Sequence, residues 1–125
     1  MIEWYRKAAE QGVADAQFNL DVKYDTGLGV PQDYTQAAYW YHKAADQGVS
    51  LAQSSLGHMY HRGKGLTKDD VVSLMWFYIS YANNEDSLFR QNVSSFIREI
   101  TLSQQQIVEA QQRAKAWLVA HPKKN

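Results

Sequence analysis

The chain contains no cysteine, only two prolines and no excess of charge of either sign. Without cysteine, neither a disulfide bond nor a thiolate metal site can form. The 13 basic side chains are balanced by 13 acidic ones, whereas nucleic-acid-binding proteins usually carry a basic excess. No stretch approaches the roughly 20 apolar residues that a membrane-spanning helix needs. These absences favour a protein that binds no nucleic acid, does not span a membrane and carries no metal or cofactor.

Apolar residues make up 45% of the 125 residues, and aromatic residues make up 13%. This content suffices for a packed core, and the scarcity of proline and of alternating patterns indicates helices. The N-terminal residues lack the apolar core of a signal peptide. We therefore expect a soluble protein, and the sequence leaves its compartment open: it is cytoplasmic, or periplasmic if an upstream signal has been removed.

A repeat of 36 residues dominates the sequence. Residues 4–12 read WYRKAAEQG, and residues 40–48 read WYHKAADQG. The same spacing relates Ala16-Gln17 to Ala52-Gln53, Leu20 to Leu56, Tyr24 to Tyr60, Gly27 and Gly29 to Gly63 and Gly65, and Asp33 to Asp69. A third copy begins at Trp76 and then decays. A unit of this length holds two helices and two turns, and stacked helix pairs bury the apolar stripes that single helices leave open.

Each repeat carries signals for where its helices begin and end. Gly63 is a natural helix stop, and Asp33, and either Asp69 or Asp70, are placed to cap the helices that follow them. Ser103 and Gln106 form a capping-box pattern before the last helix. The predicted helices lie near 2–11, 15–26, 33–47, 51–62, 70–83, 86–100 and 104–120. The aromatic residues that keep the repeat period are expected in the core, with Trp40 as the central packing anchor.

The pattern A-x-x-x-L-G-x-M-Y-x-x-G-x-G-x-x-x-D of residues 52–69, together with W-Y-x-K-A-A-x-Q-G of residues 40–48, resembles the Sel-1-like repeat family. These repeats are relatives of the tetratricopeptide repeats, and the resemblance extends over about residues 3–85. It implies an all-α fold, an α-solenoid of antiparallel helix pairs, in a family that scaffolds protein complexes and is not generally enzymatic.

The organisation we expect has two parts. Residues 1–84 form helical repeats with a truncated first unit, and residues 85–125 form a degenerate repeat helix, a C-terminal capping helix and a short tail. In the degenerate helix, Leu88, Phe96, Ile97 and Ile100 are predicted on one side. In the capping helix, one apolar face is predicted from Ile107, Ala110, Ala114, Trp117 and Leu118.

The start of the chain departs from the repeat pattern. The partner helix expected before Trp4 is missing, so an apolar strip would meet water, which soluble monomers avoid. We expect association through the N-terminal end, with a second copy or with upstream repeats. Asp21 stands 36 residues before Gly57, and Lys23 stands 36 residues before Met59. The resemblance implies a small residue at the first of these positions and an apolar residue at the second. Either both charged side chains reach water, or they meet ligand groups or a missing helix.

Two patterns suggest chemistry only weakly. His58 and His61 are spaced to share a metal, but no further ligand is evident, and we interpret them as solvent-facing variable positions. The glycine pairs at 27 and 29 and at 63 and 65 follow helices rather than strands, so they are helix stops rather than phosphate loops.

The resemblance and the tetratricopeptide analogy together predict a protein–protein interaction module. By that analogy the first helix of each pair lines the concave face, where a partner protein or peptide is expected to bind. The predicted binding residues are Asp15, Phe18, Val22, Asp25, Thr26, Leu51, Ser54, His58, His61 and Arg62. The alternatives are a small-ligand or cell-wall/peptide-acting protein of the same fold, which needs a deep polar pocket, and an RNA binder, which needs a basic surface.

Overall fold

The computed structural model describes residues 33–122, which form five α-helices and no β-strand within that range. The helices are α1 (Tyr34–Asp46), α2 (Ser50–Arg62), α3 (Asp70–Asn83), α4 (Ser87–Glu99) and α5 (Gln104–Ala120). Each end lies within one residue of its prediction, so the all-α prediction is confirmed. The helices predicted near 2–11 and 15–26 lie outside the described residues.

Side-chain caps start four of these helices. Asp33, Asp69 and Asp86 each accept hydrogen bonds from backbone N–H groups in the first turn that follows them. Ser103 accepts from the Gln106 N–H at 3.1 Å, and the Gln106 side chain accepts from the Ser103 N–H at 3.0 Å. The capping box predicted before α5 is therefore confirmed.

The loop between α2 and α3 depends on two glycines. Gly63 ends α2 with a φ of +69° and donates its N–H to the Met59 carbonyl at 2.8 Å. Gly65 has a φ of +71° and lies against the backbone carbonyl of Tyr34, at the start of α1. A β-carbon at Gly65 would collide with that carbonyl, so only glycine fits both the dihedral angle and the space.

Helix α3 is the centre of the described part, since it packs against α2, α4 and α5, while α1 packs against α2. Two apolar clusters meet along it. The first cluster contains Ala37, Ala38, Trp40, Tyr41, Ala44, Ala45, Ala52, Leu56, Met59, Trp76, Ile79 and Ala114. The second contains Leu74, Phe77, Val93, Ile100 and Ala110. Trp40 is 6% exposed, which confirms its predicted burial.

Three buried polar side chains are all hydrogen-bonded. The Gln53 amide donates to the Ala45 carbonyl at 3.1 Å and accepts from the Asn83 amide at 3.2 Å. Ser73 donates to the Gly57 carbonyl at 2.6 Å, and Ser80 bonds within α3. The bonds of Gln53 and Ser73 tie α2 to α1 on one side and to α3 on the other, and they give these buried side chains the partners that polar groups need away from water.

The apolar face predicted for α5 is confirmed, but that of α4 needs one correction. Leu88 is 66% exposed, and the residues of α4 and its C-cap that pack inward are Phe89, Val93, Phe96, Ile97 and Ile100. Leu88 precedes Phe96 by eight residues, and at about 100° per residue the two side chains diverge by roughly 80° around the helix. Leu88 therefore points to water, and Phe89 takes its place against α3.

Candidate functional site

An open groove of about 300 Å³ runs along α2 and faces α4. We call it the α2 groove, and its lining residues are Tyr41, Ser55, His58, Met59, Arg62, Lys64 and Phe96. Four of these come from α2 at spacings of three, four and seven residues, which places them on one helical face. Tyr41 adds a wall from α1, and Phe96 adds one from α4. The groove is therefore built across three helices.

The groove contains two of the predicted binding residues, His58 and Arg62. Leu51 is 51% exposed near the start of α2, outside the groove lining. Ser54 donates its hydroxyl hydrogen to the Leu51 carbonyl at 3.0 Å, within its own helix. The side chain on the groove wall is the neighbouring Ser55, so the groove is rotated by one residue from the predicted stripe.

The remaining predicted binding residues are placed as follows. His61 lies at the junction of α2 and α3, away from the groove. The residues Asp15, Phe18, Val22, Asp25 and Thr26 lie outside the described residues. The predicted N-terminal association also concerns that part of the chain and stays a prediction.

His58 packs beside two phenylalanine rings. Its imidazole lies edge-on to Phe77 at 5.1 Å and to Phe96 at 4.2 Å, measured between ring centroids. His58 is therefore half-buried, and the prediction of a solvent-facing side chain holds only for the part of the ring that α4 leaves open. Within residues 33–122 its ring nitrogens have no hydrogen-bond partner. Burial lowers the pKa of His58, and the nearby Arg62 and His61 lower it further.

His61 serves a different role from His58. Its Nδ1 lies 2.8 Å from Oδ1 of Asp70, and Nζ of Lys68 lies 3.3 Å from the same oxygen. Burial alone raises the pKa of Asp70, but the hydrogen bonds from His61 and Lys68 outweigh it and the net pKa is lowered. His61 thus ties the end of α2 to the start of α3. In the described part of the chain, no group of three potential metal ligands comes together.

The groove has a positive end and an apolar wall. Arg62 and Lys64 are exposed and lie among lining residues that include no carboxylate. Arg62 makes no ion pair with any residue of 33–122, and Nζ of Lys64 lies 5.0 Å over the ring of Tyr34. Phe96 supplies the apolar surface, since Met59 is only 6% exposed and belongs to the first apolar cluster. Sequence reasoning missed Phe96 because it belongs to another helix.

None of the helices in residues 33–122 combines the length and apolar content that crossing a membrane requires. This agrees with the absence of long apolar runs in the sequence.

Comparison with known proteins identifies the repeat. The Sel1 repeat family model matches residues 2–13, 14–49 and 50–85. A protective antigen of uropathogenic Escherichia coli that displays an SLR fold is 36% identical with a TM-score of 0.86, over 96% of this chain and 25% of that chain. A Sel1 repeat protein from Oxalobacter formigenes is 34% identical with a TM-score of 0.64, over 66% of this chain and 63% of that chain.

The chain thus spans a quarter of the length of the first structure and less than two thirds of the second. No curated protein matches it significantly. The boundary between the second and third matched segments falls at residues 49 and 50, where α2 begins.

Proposed function

Because the chain belongs to the Sel1 repeat family, we propose that it is a protein–protein interaction scaffold that binds a peptide segment of another protein in the α2 groove. Sel1 repeats generally mediate protein interactions. The observation that carries the proposal is the groove itself, where one face of α2 meets the ring of Phe96 from α4. Such a trough admits an extended chain or one face of a helix.

The groove also has the mixed chemistry that peptide recognition uses. Phe96 provides apolar contact from α4, while His58 and Arg62 provide hydrogen-bonding groups from α2. The phenylalanine rings fix the imidazole of His58, so little side-chain entropy is lost when a partner binds to it. A partner peptide would therefore meet a preformed surface.

The hydrogen bonding of Ser55 speaks against a catalytic role for the groove. A serine nucleophile needs its hydroxyl hydrogen-bonded to a base such as histidine. Ser55 instead donates its hydroxyl hydrogen to the Leu51 carbonyl at 2.8 Å. The neighbouring His58 is therefore not activating it, and we propose a binding role without chemistry.

We also propose the two-part organisation expected from the sequence. The family match ends at residue 85, and α4 begins at Ser87. Helix α5 places Ala110 and Ala114 against the core and carries Gln105, Gln112 and Lys115 on exposed positions. A polar outer face of this kind closes a helical array against water.

The proposed function is tested by blocking the groove without changing its charge. Peptides selected from a random display library by the wild-type protein are measured against Ser55→Trp, in which the indole fills the groove. Gln112→Trp, on the exposed side of α5, is the matched control. We expect Ser55→Trp to abolish peptide binding and Gln112→Trp to keep it, with unchanged circular dichroism for both. Equal binding by Ser55→Trp would place the peptide site elsewhere.

A further inference from the structure

We propose that the α2 groove selects an acidic peptide segment, whose carboxylate side chains pair with Arg62 and Lys64 while a neighbouring apolar side chain packs against the half-buried ring of Phe96. This inference rests on the proposed function, since it names the chemistry of the partner at the same site. It commits to a protein partner rather than to a nucleic acid.

The first support is the distribution of charge. The chain as a whole is neutral, with 13 basic and 13 acidic side chains. The groove nevertheless collects two cations and no carboxylate among its lining residues. The excess of positive charge is therefore confined to the groove, and an acidic peptide segment would complement it.

The second support is that the carboxylates nearest in sequence are already engaged. Asp69 accepts hydrogen bonds from the N–H groups of Val71 and Val72, both at 3.1 Å, and caps α3. Asp70 pairs with His61 and Lys68. Neither carboxylate is placed to neutralise Arg62, which leaves its guanidinium exposed to a partner that brings its own negative charge. A guanidinium also matches the two oxygens of a carboxylate in a fork-like geometry.

The third support is the apolar wall beside the cations. Phe96 stacks on Phe77 with a centroid distance of 5.9 Å and an interplanar angle of 16°. Its ring is thereby fixed in the groove wall. Met59 is only 6% exposed and belongs to the core, so the accessible apolar surface of the groove is that of Phe96. An apolar side chain next to the acidic one would pack against this ring, and a simple anion has no side chain that could do so.

The same arrangement disfavours a nucleic acid. Backbone recognition of a nucleic acid uses many cations in a stripe, and its affinity grows with each neutralised phosphate. The groove has two cations, and the ring of Phe96 belongs to the same lining. An acidic and apolar peptide can contact both cations and this ring.

The test uses the full chain and three pools of fluorescein-labelled short peptides with equal apolar content. One pool carries Asp and Glu, the second carries Asn and Gln at the same places, and the third carries Lys and Arg. A labelled single-stranded DNA pool is the fourth probe. Binding is measured by fluorescence anisotropy for the wild type, for Arg62→Gln with Lys64→Gln, and for a control with the same loss of charge. That control is Arg98→Gln with Lys115→Gln, at exposed positions outside the groove.

We expect the wild type to bind the acidic pool more tightly than the amide pool, by about 3-fold for each exposed charge pair. Arg62→Gln with Lys64→Gln removes this preference, and the control pair keeps it. Added salt reduces the preference in the wild type, because the cations are exposed to screening ions.

The opposing outcomes separate this inference from the proposed function. Equal binding of the acidic and amide pools, both blocked by Ser55→Trp, would overturn the acidic preference and keep the peptide site. Tightest binding of the basic pool or of the DNA pool would overturn the choice of partner. Binding of no peptide pool by the wild type would overturn both the inference and the proposed function.

Discussion

The ring of Phe77 lies so close to Gly57 that a β-carbon added to this glycine would come within 2.7–2.9 Å of three ring carbons. The Ser73 hydroxyl also donates to the Gly57 carbonyl at 2.6 Å. Side chains of α3 therefore pack directly against the backbone of α2 at this point. Glycine is otherwise an unfavourable residue in the middle of a helix. Its presence in α2 is explained by the ring of Phe77, which occupies the space of a side chain at position 57.

Gly57→Ala is expected to destabilise the protein by about 1–2 kcal/mol. Overpacking a core costs about 1–3 kcal/mol, and it outweighs the gain of up to about 1 kcal/mol from replacing glycine in a helix. Phe77 is fully buried, so its ring cannot move aside easily. The measurement is the urea midpoint, with Ser54→Ala on the same helix as the control. Adding Phe77→Leu to Gly57→Ala should recover part of the loss, and strict additivity of the two changes would contradict the contact.

Trp40→Ala is expected to leave the protein largely unfolded at room temperature. Truncating a buried tryptophan costs roughly 3–5 kcal/mol, a large share of the stability of a small domain. Its neighbour Tyr39 is 52% exposed, so Tyr39→Ala is the matched control and should melt close to the wild type. Thermal melts followed by circular dichroism compare the two. A cooperative Trp40→Ala melt near that of the wild type would mean that the tryptophan contributes little packing energy.

Stability is expected to fall as the pH drops below about 6.5. Burial lowers the pKa of His42 from 6.5, an effect that Asp46 partly offsets, and burial, Arg62 and His61 lower that of His58. Below pH 6.5 the unfolded chain binds protons that these folded histidines do not, and the loss levels off once the pH passes their folded pKa values. Urea midpoints across this range measure the slope.

The matched variant for the pH prediction is His42→Gln with His58→Gln. Removing the two histidines should flatten the slope below pH 6.5, although the stability at neutral pH falls because Nε2 of His42 lies 3.0 Å from the Tyr60 hydroxyl. The lowered pKa of Asp70 acts in a different window, because its stabilising effect is lost only as the pH falls below about 3.8. An unchanged slope in the double variant would assign the acid sensitivity to other groups.

His58→Ala with Arg62→Ala is expected to weaken peptide capture while leaving the circular dichroism spectrum unchanged. The change removes one fixed imidazole and one exposed guanidinium from the groove, and α2 keeps its buried residues Leu56 and Met59. Anisotropy with a display-selected peptide measures the loss. Arg98→Ala with Lys115→Ala is the control, and equal weakening by both pairs would indicate a long-range charge effect instead of contact.

The repeat spacing predicted α1, α2 and the start of α3 with most of their buried faces, because these positions follow a pattern that recurs every 36 residues. The Asp69 cap, the Gly63 stop and the burial of Trp40 all follow from local rules of this kind. After Trp76 no copy constrains the register. Leu88 was then predicted on the buried face of α4, because a short run of apolar residues does not decide which of two neighbouring positions faces the core.

The groove itself was only partly predictable. His58 and Arg62 were found by analogy, but the rotation that brings Ser55 and Met59 beside them depends on how α2 crosses its neighbours. The burial of His58 depends on Phe96, which is distant in sequence and outside the repeat. Contacts of this kind are set by tertiary packing and leave no periodic signal in the chain.

The contact between Gly65 and the Tyr34 carbonyl joins two successive units through main-chain atoms, since Tyr34 lies in the segment 14–49 and Gly65 in the segment 50–85. One point of contact between the two units is therefore made by backbone against backbone, whatever side chains face the groove. Residues such as Ser55 and Arg62 can differ without altering this contact. Ligand preference can thus change while this junction between units is kept.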